Sequence, residues 1–333
     1  MSLARAAAAL AVFLAGNLPA GAAGANDFSK QAVGTKGSEF LMFDLGARGI
    51  ALGGAYTALT NDADSLYWNP AGLTRVTRFS ASANYARHVG DINYQSATAA
   101  HRINESSVLA GGLRTRNLGT ISQTDLAGNS LGSFSPRDYI AELGWGQSIY
   151  DLSDNDMDVS MGIGGRWIHS NYFLKADGYS ADLGVQAKIS NAHYPYDLGF
   201  TAQNMGRGQK FDQRRDPLPL RLRMGGAVYP ISPLRLSGDI ILPSNNIMHG
   251  AVGAEYALEI DKNFKGALRA GFNTLTASSL GVISTLSMGF GIKAGNINFD
   301  YAFIPAGVLA NASHRFSVGY NLPANLAHRT HER

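Results

Sequence analysis

The sequence predicts an all-β fold, an antiparallel β-barrel of about 14 strands that spans a membrane and carries a small N-terminal hatch. Three features of the 333 residues predict it. Apolar and polar residues alternate strictly over long runs, the number of runs is even, and the polar faces hold small residues and isolated charges of both signs. A period of two places successive side chains on opposite faces of a strand, so these runs indicate strands and not helices.

The run over residues 247–259 shows the pattern most clearly. Met248, Val252 and Tyr256 fall on one face, which is wholly apolar, while Glu255 falls on the other. The same period recurs in four further runs, over residues 218–229, 233–243, 264–274 and 296–305.

A soluble sandwich and a membrane barrel both use such strands, and two further features favour the barrel. The runs extend over about 10 to 13 residues, which matches the roughly 9 to 11 residues that a tilted strand needs to cross a bilayer and exceeds the usual five or six. Aromatic residues lie near the ends of the runs, as in the interfacial girdles of outer-membrane barrels. These residues are Tyr139, Trp167, Tyr172, Tyr194, Tyr196, Tyr229, Phe264 and Phe272.

The strand count is even, as expected for a bacterial barrel that closes without leaving sheet edges. The candidate strands are residues 77–87, 91–102, 106–117, 136–149, 157–170, 178–189, 196–205, 218–229, 233–243, 247–259, 264–274, 282–293, 296–305 and 312–320. If both termini lie on the periplasmic side, short turns alternate with longer outer loops such as 118–135 and 206–217, which is the asymmetry of outer-membrane barrels. The barrel is therefore predicted to occupy residues 75–320.

The N-terminus has the layout of a secretory signal peptide. Arg5 provides the positive region, residues 6–15 form an apolar core, and residues 23–25 are small residues that suit cleavage after Ala25. An uncleaved anchor helix is the alternative, but the apolar core is short for one. Residues 1–25 are therefore predicted to direct export, and the mature chain is predicted to reside in the bacterial outer membrane.

The composition excludes several functional classes. A net charge of +3, with 16% charged residues, does not suit a nucleic-acid-binding surface. The chain has no cysteine, and hence no disulfide, thiolate metal site or cysteine nucleophile. The adjacent His169 and Ser170 are the nearest approach to a catalytic pair, and chance explains them. We expect no catalysis, no cofactor, no metal ion and no nucleic-acid partner, and outer-membrane lipid as the surroundings.

Residues 26–74 lie outside the alternation, and we expect them to form a compact hatch packed into the barrel mouth. They are too apolar for a disordered tail and too irregular for a spanning strand. Asn69-Pro70 is a turn signal, because proline fixes its own φ and disfavours helical backbone at the preceding residue. The hatch motif is predicted to comprise Gly53, Gly54, Trp68, Asn69, Pro70 and Ala71, with Trp68 seated against the barrel wall.

Charged residues on the polar faces are predicted to form ion pairs that fill the lumen. Unpaired charge is costly near a bilayer core, so mutual pairing explains such residues better than a permeation filter. The residues assigned to this role are Arg221, Arg235, Asp239, Glu255, Arg269 and Asp300.

Several blocks of the sequence resemble the PorV/PorQ family, a branch of the FadL-like outer-membrane proteins. The first block is the most specific and comprises Leu45-Gly-Ala-Arg48, Gly53-Gly-Ala-Tyr56, Asp62-Ala-Asp64 and Tyr67-Trp-Asn-Pro-Ala-Gly-Leu73. Further blocks follow in the family's order: Leu198–Gly206, Leu218–Arg223, Val252–Tyr256, Leu268–Gly271, Phe299–Phe303 and His314–Ser317. The resemblance covers nearly the whole mature chain and implies a 14-stranded barrel with an N-terminal hatch.

The resemblance implies two alternative functions. PorV-like relatives act in type IX secretion, where the barrel binds the C-terminal domains of exported cargo and works with other secretion components. FadL-like relatives instead admit hydrophobic small molecules past the hatch. A purely structural outer-membrane protein is a lesser alternative. No single residue separates these functions, and the PorV-like one is our main expectation.

The C-terminus departs from the usual barrel pattern. Outer-membrane barrels commonly finish on an aromatic residue, whereas the last alternating run here ends near Tyr320 and is followed by residues 321–333. Phe316 and Tyr320 are predicted to serve as the insertion signal, with a periplasmic tail beyond them.

Overall fold

A computed structural model describes residues 27–88, 90–152, 157–261, 263–277, 281–305 and 312–323. Fourteen antiparallel strands close into one barrel, which confirms the predicted fold class and strand count. The predicted signal peptide, residues 1–25, and most of the predicted tail, from residue 324 onward, lie outside the described residues.

The wall consists of β1–β3 and β6–β16, while β4 and β5 form a separate hairpin. The strands are β1 (Phe79–Arg87), β2 (Asn93–Arg102), β3 (Ser107–Asn117), β4 (Ile121–Thr124), β5 (Ser130–Phe134), β6 (Arg137–Leu152), β7 (Met157–Asn171), β8 (Lys175–Ile189), β9 (Tyr196–Arg207), β10 (Arg221–Ile231), β11 (Leu234–Pro243), β12 (His249–Glu259), β13 (Phe264–Asn273), β14 (Leu286–Ala294), β15 (Ile297–Ile304) and β16 (Ser313–Leu322).

Each wall strand pairs with its neighbours in the chain, and β1 closes the barrel against β16, from Phe79 opposite Leu322 to Arg87 opposite His314. We call the end where β1 begins and β16 ends the proximal end. Its connections span two to six residues, whereas those at the opposite, distal end span three to nineteen. This asymmetry is the one expected of an outer-membrane barrel with a periplasmic proximal end.

Two predicted boundaries differ from the structure. The long loop 118–135 contains the hairpin β4–β5, which escapes a search for alternation because its residues are exposed on both faces. Residues 282–285, assigned to a strand, form a 3-10 turn that starts after Gly281, whose φ of +85° favours glycine.

The outer face of the barrel is apolar and the inner face is polar. Exposed leucine, valine, phenylalanine and tyrosine side chains alternate along the strands with buried charged and small residues. Two of the aromatic residues predicted for the interfacial girdles instead bond to inward-facing carboxylates: the hydroxyl of Tyr172 donates to Asp138 and that of Tyr229 donates to Asp197. The girdle prediction is therefore wrong for these two tyrosines, since each reaches a polar partner that a lipid-facing ring would lack.

The chain before β1 passes through the barrel, and we call residues 27–78 the N-terminal segment. It contains two short helices, α1 (Ala47–Ala51) and α2 (Ser65–Trp68), and 3-10 turns at Lys30–Ala32, Glu39–Met42 and Pro70–Arg75. The segment begins at the distal end, where the Phe28 amide donates to the Ser244 carbonyl, and enters β1 at the proximal end. The last turn places the first strand at Phe79, later than the predicted start of that strand at residue 77 and of the barrel at residue 75.

None of the helices in the described ranges is long and apolar enough to cross a membrane.

Inward-facing glycines of the wall make room for the N-terminal segment. A Cβ atom added at Gly162 of β7 would lie 2.2 Å from the carbonyl carbon of Pro70, and one added at Gly184 of β8 would lie 2.0 Å from Asn69 Oδ1. Both distances are far below van der Waals contact. The turn at Asn69-Pro70 therefore packs directly on the backbone of the wall.

We predict that Gly162→Val displaces the N-terminal segment without preventing barrel closure. The valine side chain must overlap Pro70, whereas the strand pairing of β7 does not require glycine. Limited proteolysis of the detergent-extracted protein is expected to cut residues 27–78 several-fold faster in the variant, while heat-modifiable gel mobility is retained.

Gly165→Val is the matched control on the same strand, because a Cβ at Gly165 meets no atom within 4 Å. Equal cleavage of the segment in the Gly162 and Gly165 variants would contradict the packing described.

Candidate functional site

The turn predicted as the hatch motif lies at the centre of the contacts between the N-terminal segment and the wall. The side-chain amide of Asn69 donates to the carbonyl oxygens of Thr57, at 3.0 Å, and of Val185, at 3.2 Å. Its Oδ1 accepts from the Ala71 amide, and Pro70 occupies the first position of the following 3-10 turn. Asn69 thus joins two parts of the segment to β8.

Trp68 is fully buried, and its indole Nε1 donates to the Leu45 carbonyl at 2.9 Å. The guanidinium of Arg223 lies over the indole, 4.7 Å from the ring centroid. On another side, Gly49 packs so closely that an added Cβ would lie 2.6 Å from the indole. Trp68 therefore contacts both the wall and α1.

Gly53 and Gly54 lie where the segment meets β13. Gly53 has φ +69°, and an added Cβ would lie 2.7 Å from the backbone nitrogen of Phe272. Gly54 has φ +87°, and its carbonyl accepts a hydrogen bond of 2.5 Å from Arg223 Nη2. Both the left-handed conformation and the close backbone approach favour glycine.

Wall arginines stack on aromatic rings of the N-terminal segment. Their guanidinium carbons lie within 3.8–4.8 Å of the ring centroids, which is the geometry of cation–π contacts. The pairs are Arg315 with Phe43, Arg116 with Phe40, Arg114 with Tyr67 and Arg223 with Trp68. Three strands, β3, β10 and β16, thereby hold the segment through its aromatic residues.

Asp44 supplies the negative charge that two wall arginines, Arg221 and Arg223, share. Its Oδ1 lies 2.8 Å from Arg221 Nη1 and 3.5 Å from Arg223 Nη1, and it accepts a hydrogen bond from the hydroxyl of Tyr67. Burial alone would raise the pKa of Asp44, but the charges of Arg221 and Arg223 outweigh it and hold the pKa at about 2. Asp44 is therefore ionised at neutral pH.

The six residues predicted to form ion pairs in the lumen belong to two separate groups of charges in the structure. Arg221 pairs with Asp44 of the segment, and Asp239 accepts from the Thr57 hydroxyl and lies 3.7 Å from Arg223 Nε. Nearer the proximal end, Glu255 accepts from Arg235 and Arg269, and Arg269 also bonds to Asp300.

Arg48 of α1 completes the proximal group. Its Nε and Nη2 donate to the two carboxylate oxygens of Glu255 at 2.9 and 3.0 Å, which is the bidentate geometry of strong arginine–carboxylate pairs. The N-terminal segment is thus bound to both groups of lumen charges.

A third charged group escaped the sequence reasoning. Arg166 contacts Glu142, which also pairs with Arg114, and Arg166 further contacts Asp182. Asp182 lies opposite a bulge of β9, where Asn204 has φ +63° and its amide donates to Asp182. The alternation of Arg114 and Arg116 in β3 was a usable signal, whereas the bulge is marked only by two adjacent polar residues, Gln203 and Asn204.

A cavity of about 380 Å³ opens at the proximal end, between the N-terminal segment and strands β11–β16. Arg48, Arg235, Glu255, Arg269 and Asp300 line it, so four of the predicted lumen residues face this space. A narrower space of about 20 Å³, lined by Asp62, Asp64 and Trp68 among others, lies next to it.

Asp62 lies at the boundary of these two spaces. Burial and the neighbouring Asp64 carboxylate raise the pKa of Asp62 to about 7, and the charge of Arg48 offsets only part of this effect. Asp62 therefore titrates near neutral pH.

One sequence pattern suggests catalysis at first sight, and the geometry does not support it. Residues 128–132 match the spacing Gly-x-Ser-x-Gly, but Ser130 is the first residue of the exposed strand β5 and does not lie at the strand-to-helix elbow that the motif requires. Among the described residues, no group of three or more His, Asp and Glu side chains could hold a metal ion.

Solved structures similar to this chain are bacterial transport barrels. The Pseudomonas putida toluene transporter TodX is 12% identical, with a TM-score of 0.53 over 82% of this chain and 96% of TodX. A Pseudomonas aeruginosa FadL homologue is 9% identical, with a TM-score of 0.52 over 84% of this chain and 99% of its own. The CymD monoaromatic hydrocarbon channel is 12% identical, with a TM-score of 0.53 over 84% and 98%.

Identities this low establish a shared fold and nothing more. No protein-family model matches the sequence, and neither does any curated protein. The class defined by fold and interior is a closed 14-stranded barrel of the architecture found in hydrocarbon transporters, with an internal N-terminal segment. The similarity agrees with the FadL-like part of the resemblance and does not bear on the narrower PorV/PorQ part.

We predict that Asn69→Ala loosens the N-terminal segment more than it harms the barrel. The change removes the hydrogen bonds to the carbonyls of Thr57, which keeps a donor in Gln186 Nε2, and of Val185, at a cost of about 0.5–1.5 kcal/mol each. Hydrogen exchange of residues 44–74 is expected to rise at least tenfold, while exchange in β2, β3 and β6 is unchanged. Asn129→Ala, in the exposed turn of β4–β5, is the control, and equal exchange in the two variants would refute the role assigned to Asn69.

We also predict that ionisation of Asp62 weakens the packing of the segment. Because the pKa in the folded state is raised above the usual value near 4, stability falls as pH rises from about 4 to about 7 and is constant above that. Asp62→Asn is therefore expected to raise the thermal unfolding temperature relative to the unmodified protein at pH 8 and not at pH 4. A difference in unfolding temperature that does not change between pH 4 and pH 8 would contradict this effect.

Proposed function

We propose that this chain is a bacterial outer-membrane barrel that admits hydrophobic small molecules and that residues 27–78 form the hatch closing it. The observation that carries the proposal is the enclosure of the segment, whose Trp68 is fully buried inside a closed wall. A molecule that crosses the barrel must displace or deform this segment.

The membrane location is supported by the outer face. Its exposed side chains are predominantly Leu, Ile, Val, Met and aromatic residues, as on a lipid-facing belt. The segment and the lumen charges lie on the opposite side of the wall. The predicted signal peptide agrees with an exported protein.

The substrate class is supported by fold similarity. Two of the similar structures are named as a toluene transporter and a monoaromatic hydrocarbon channel, so hydrophobic small molecules are the class we propose for this chain. The contacts around Asn69, Asp44 and Glu255 are polar and can exchange with water, which suits a hatch that opens without unfolding the wall.

A disulfide between hatch and wall tests this function. A Cβ added at Gly253 would lie 2.8 Å from Leu52 Cβ, and disulfides prefer about 3.8 Å, so Leu52→Cys/Gly253→Cys needs a separation of only about 1 Å. The chain has no other cysteine. We predict that cells with the unmodified barrel in their outer membrane take up radiolabelled toluene several-fold faster than cells without it. The oxidised pair is expected to reduce uptake to background, and a reductant to restore it.

The single variants Leu52→Cys and Gly253→Cys control for the substitutions themselves. Background uptake by the unmodified barrel would overturn hydrophobic transport, and equal uptake by the oxidised and reduced pair would overturn the hatch.

A second candidate, binding and transfer of secreted cargo in a type IX-like pathway, is favoured by one feature of the distal end. Leu126, Leu131 and Phe173 are exposed there, and the Phe134 and Phe173 rings lie 4.2 Å apart, linking β4–β5 to the β7–β8 turn. Such an apolar projection can contact a protein partner.

Affinity capture from native membranes separates the two candidates. Recovery of cargo C-terminal domains and secretion components, lost in the triple variant Leu126→Ser/Leu131→Ser/Phe173→Ser, would support the second. Recovery of hydrocarbon or lipid without these proteins would contradict it.

A further inference from the structure

The proximal cavity carries an excess of positive charge. Six basic residues line it against three acidic ones, Asp62, Glu255 and Asp300. The basic residues are Arg48, Arg75, Arg235, Lys265, Arg269 and Lys293. Two of the three carboxylates are already held by arginines in the Glu255 and Asp300 pairs. Glu259, which does not line the cavity, pairs with Lys265 at 2.6 Å, and these four carboxylates still do not balance the six cations that face this space.

Three of the basic side chains have hydrogen-bond donors to spare. Arg235 donates only through Nη1, to Glu255, and its side chain is 34% exposed. Arg75 donates through Nε, to Gln186 at 3.1 Å. Among the described residues, the remaining guanidinium nitrogens of both arginines and the ammonium of Lys293 have no hydrogen-bond partner.

Small residues keep the space between these cations open. Ala257, Ala267 and Gly291 lie on the cavity wall. A Cβ added at Gly291 would lie 2.4 Å from Asp300 Oδ1 and 2.8 Å from Arg269 Nη1, so glycine lets this ion pair lie flat against β14. The resulting cavity of about 380 Å³ falls in the range of small-molecule sites, about 300–1,000 Å³.

We propose that this proximal cavity binds an oxyanion, a carboxylate or phosphate group, through Arg75, Arg235 and Lys293. A planar guanidinium presents paired N–H donors that match the oxygens of either group, and the ammonium adds a third, adjustable donor. The bound anion offsets the excess charge that the protein leaves unpaired. The group is carried either by a small organic acid or by the headgroup of a lipid.

The site is independent of hydrophobic transport. Its residues lie at the proximal end, on the segment after α2 and on strands β11 and β14, whereas the contacts that close the hatch centre on Asp44, Trp68 and Asn69. Loss of anion binding and loss of hydrocarbon uptake are therefore separate outcomes.

Equilibrium dialysis of the intact, detergent-extracted protein against radiolabelled inorganic phosphate at low ionic strength tests the site. We expect saturable binding of one phosphate per chain. Arg75→Gln, Arg235→Gln and Lys293→Gln are each expected to weaken it about tenfold, because each removes a charged hydrogen bond to the anion, and the triple variant is expected to abolish it. Lys175→Gln, at the distal end and outside the cavity, is the matched control and leaves binding unchanged.

Two further measurements distinguish a small organic acid from a lipid headgroup as the source of the anion. Displacement of phosphate by hexanoate, with no lipid retained on the purified protein, identifies a small organic acid. Retention of a phospholipid by the unmodified protein and its loss from the triple variant, seen by mass spectrometry, identifies a headgroup. Heat-modifiable gel mobility establishes that each variant is folded. Absence of saturable phosphate binding, or equal binding by the unmodified protein and the folded triple variant, would overturn the site.

Discussion

Closing fourteen strands into a barrel turns every second side chain inward, and in this chain many of those side chains are charged. Arg221 and Arg315 have no carboxylate from a neighbouring strand among the ion pairs of the described residues, and both bond to residue 44 of the N-terminal segment instead. A buried charge without a partner costs several kcal/mol, and with the segment packed inside, residue 44 supplies both arginines with the partner that the neighbouring strands do not. The segment has a small apolar cluster of its own around Trp68, to which the wall adds Ala227 and Ala302, and elsewhere it packs closely on wall glycines.

The contacts between the N-terminal segment and the wall are of two kinds. Arginine–aromatic stacking and close glycine contacts fix the position of the segment, while hydrogen bonds to Asn69, Asp44 and Glu255 satisfy polar groups that would otherwise be buried without partners. Polar contacts of this kind exchange with water at modest net cost, unlike the continuous hydrogen bonding of the strands. The interior can therefore rearrange while the wall remains closed.

The strands were predictable because each is governed by a short-range rule. A period of two fixes which side chains face inward, and it located all fourteen wall strands, including the inward faces of Arg235 and Glu255. The path of the N-terminal segment follows no such rule. Asn69-Pro70 marked a turn, but its docking on Gly162 and Gly184 depends on residues about a hundred positions away.

The same difference between short-range and long-range constraints explains which contacts inside the barrel the sequence did not predict. Arg235, Glu255 and Arg269 stand opposite one another in register, so pairing was a natural inference, whereas the role of Asp44 depends on where an irregular segment crosses the lumen. The bulge at Asn204 shifts the register by one residue and leaves four successive residues, 201–204, buried. Sequence periodicity therefore predicts the wall well and its internal contacts only where both partners belong to the wall.

The most direct measurement of the central claim, that the segment fills the barrel, uses the fluorescence of Trp68. The chain has three tryptophans, and Trp145 and Trp167 are exposed on the outer face, so Trp145→Phe/Trp167→Phe leaves Trp68 as the sole emitter. In the folded, detergent-extracted barrel we predict blue-shifted emission that iodide and acrylamide do not quench. Quenching as strong as that of free tryptophan would show that the segment lies outside the barrel and would contradict the account.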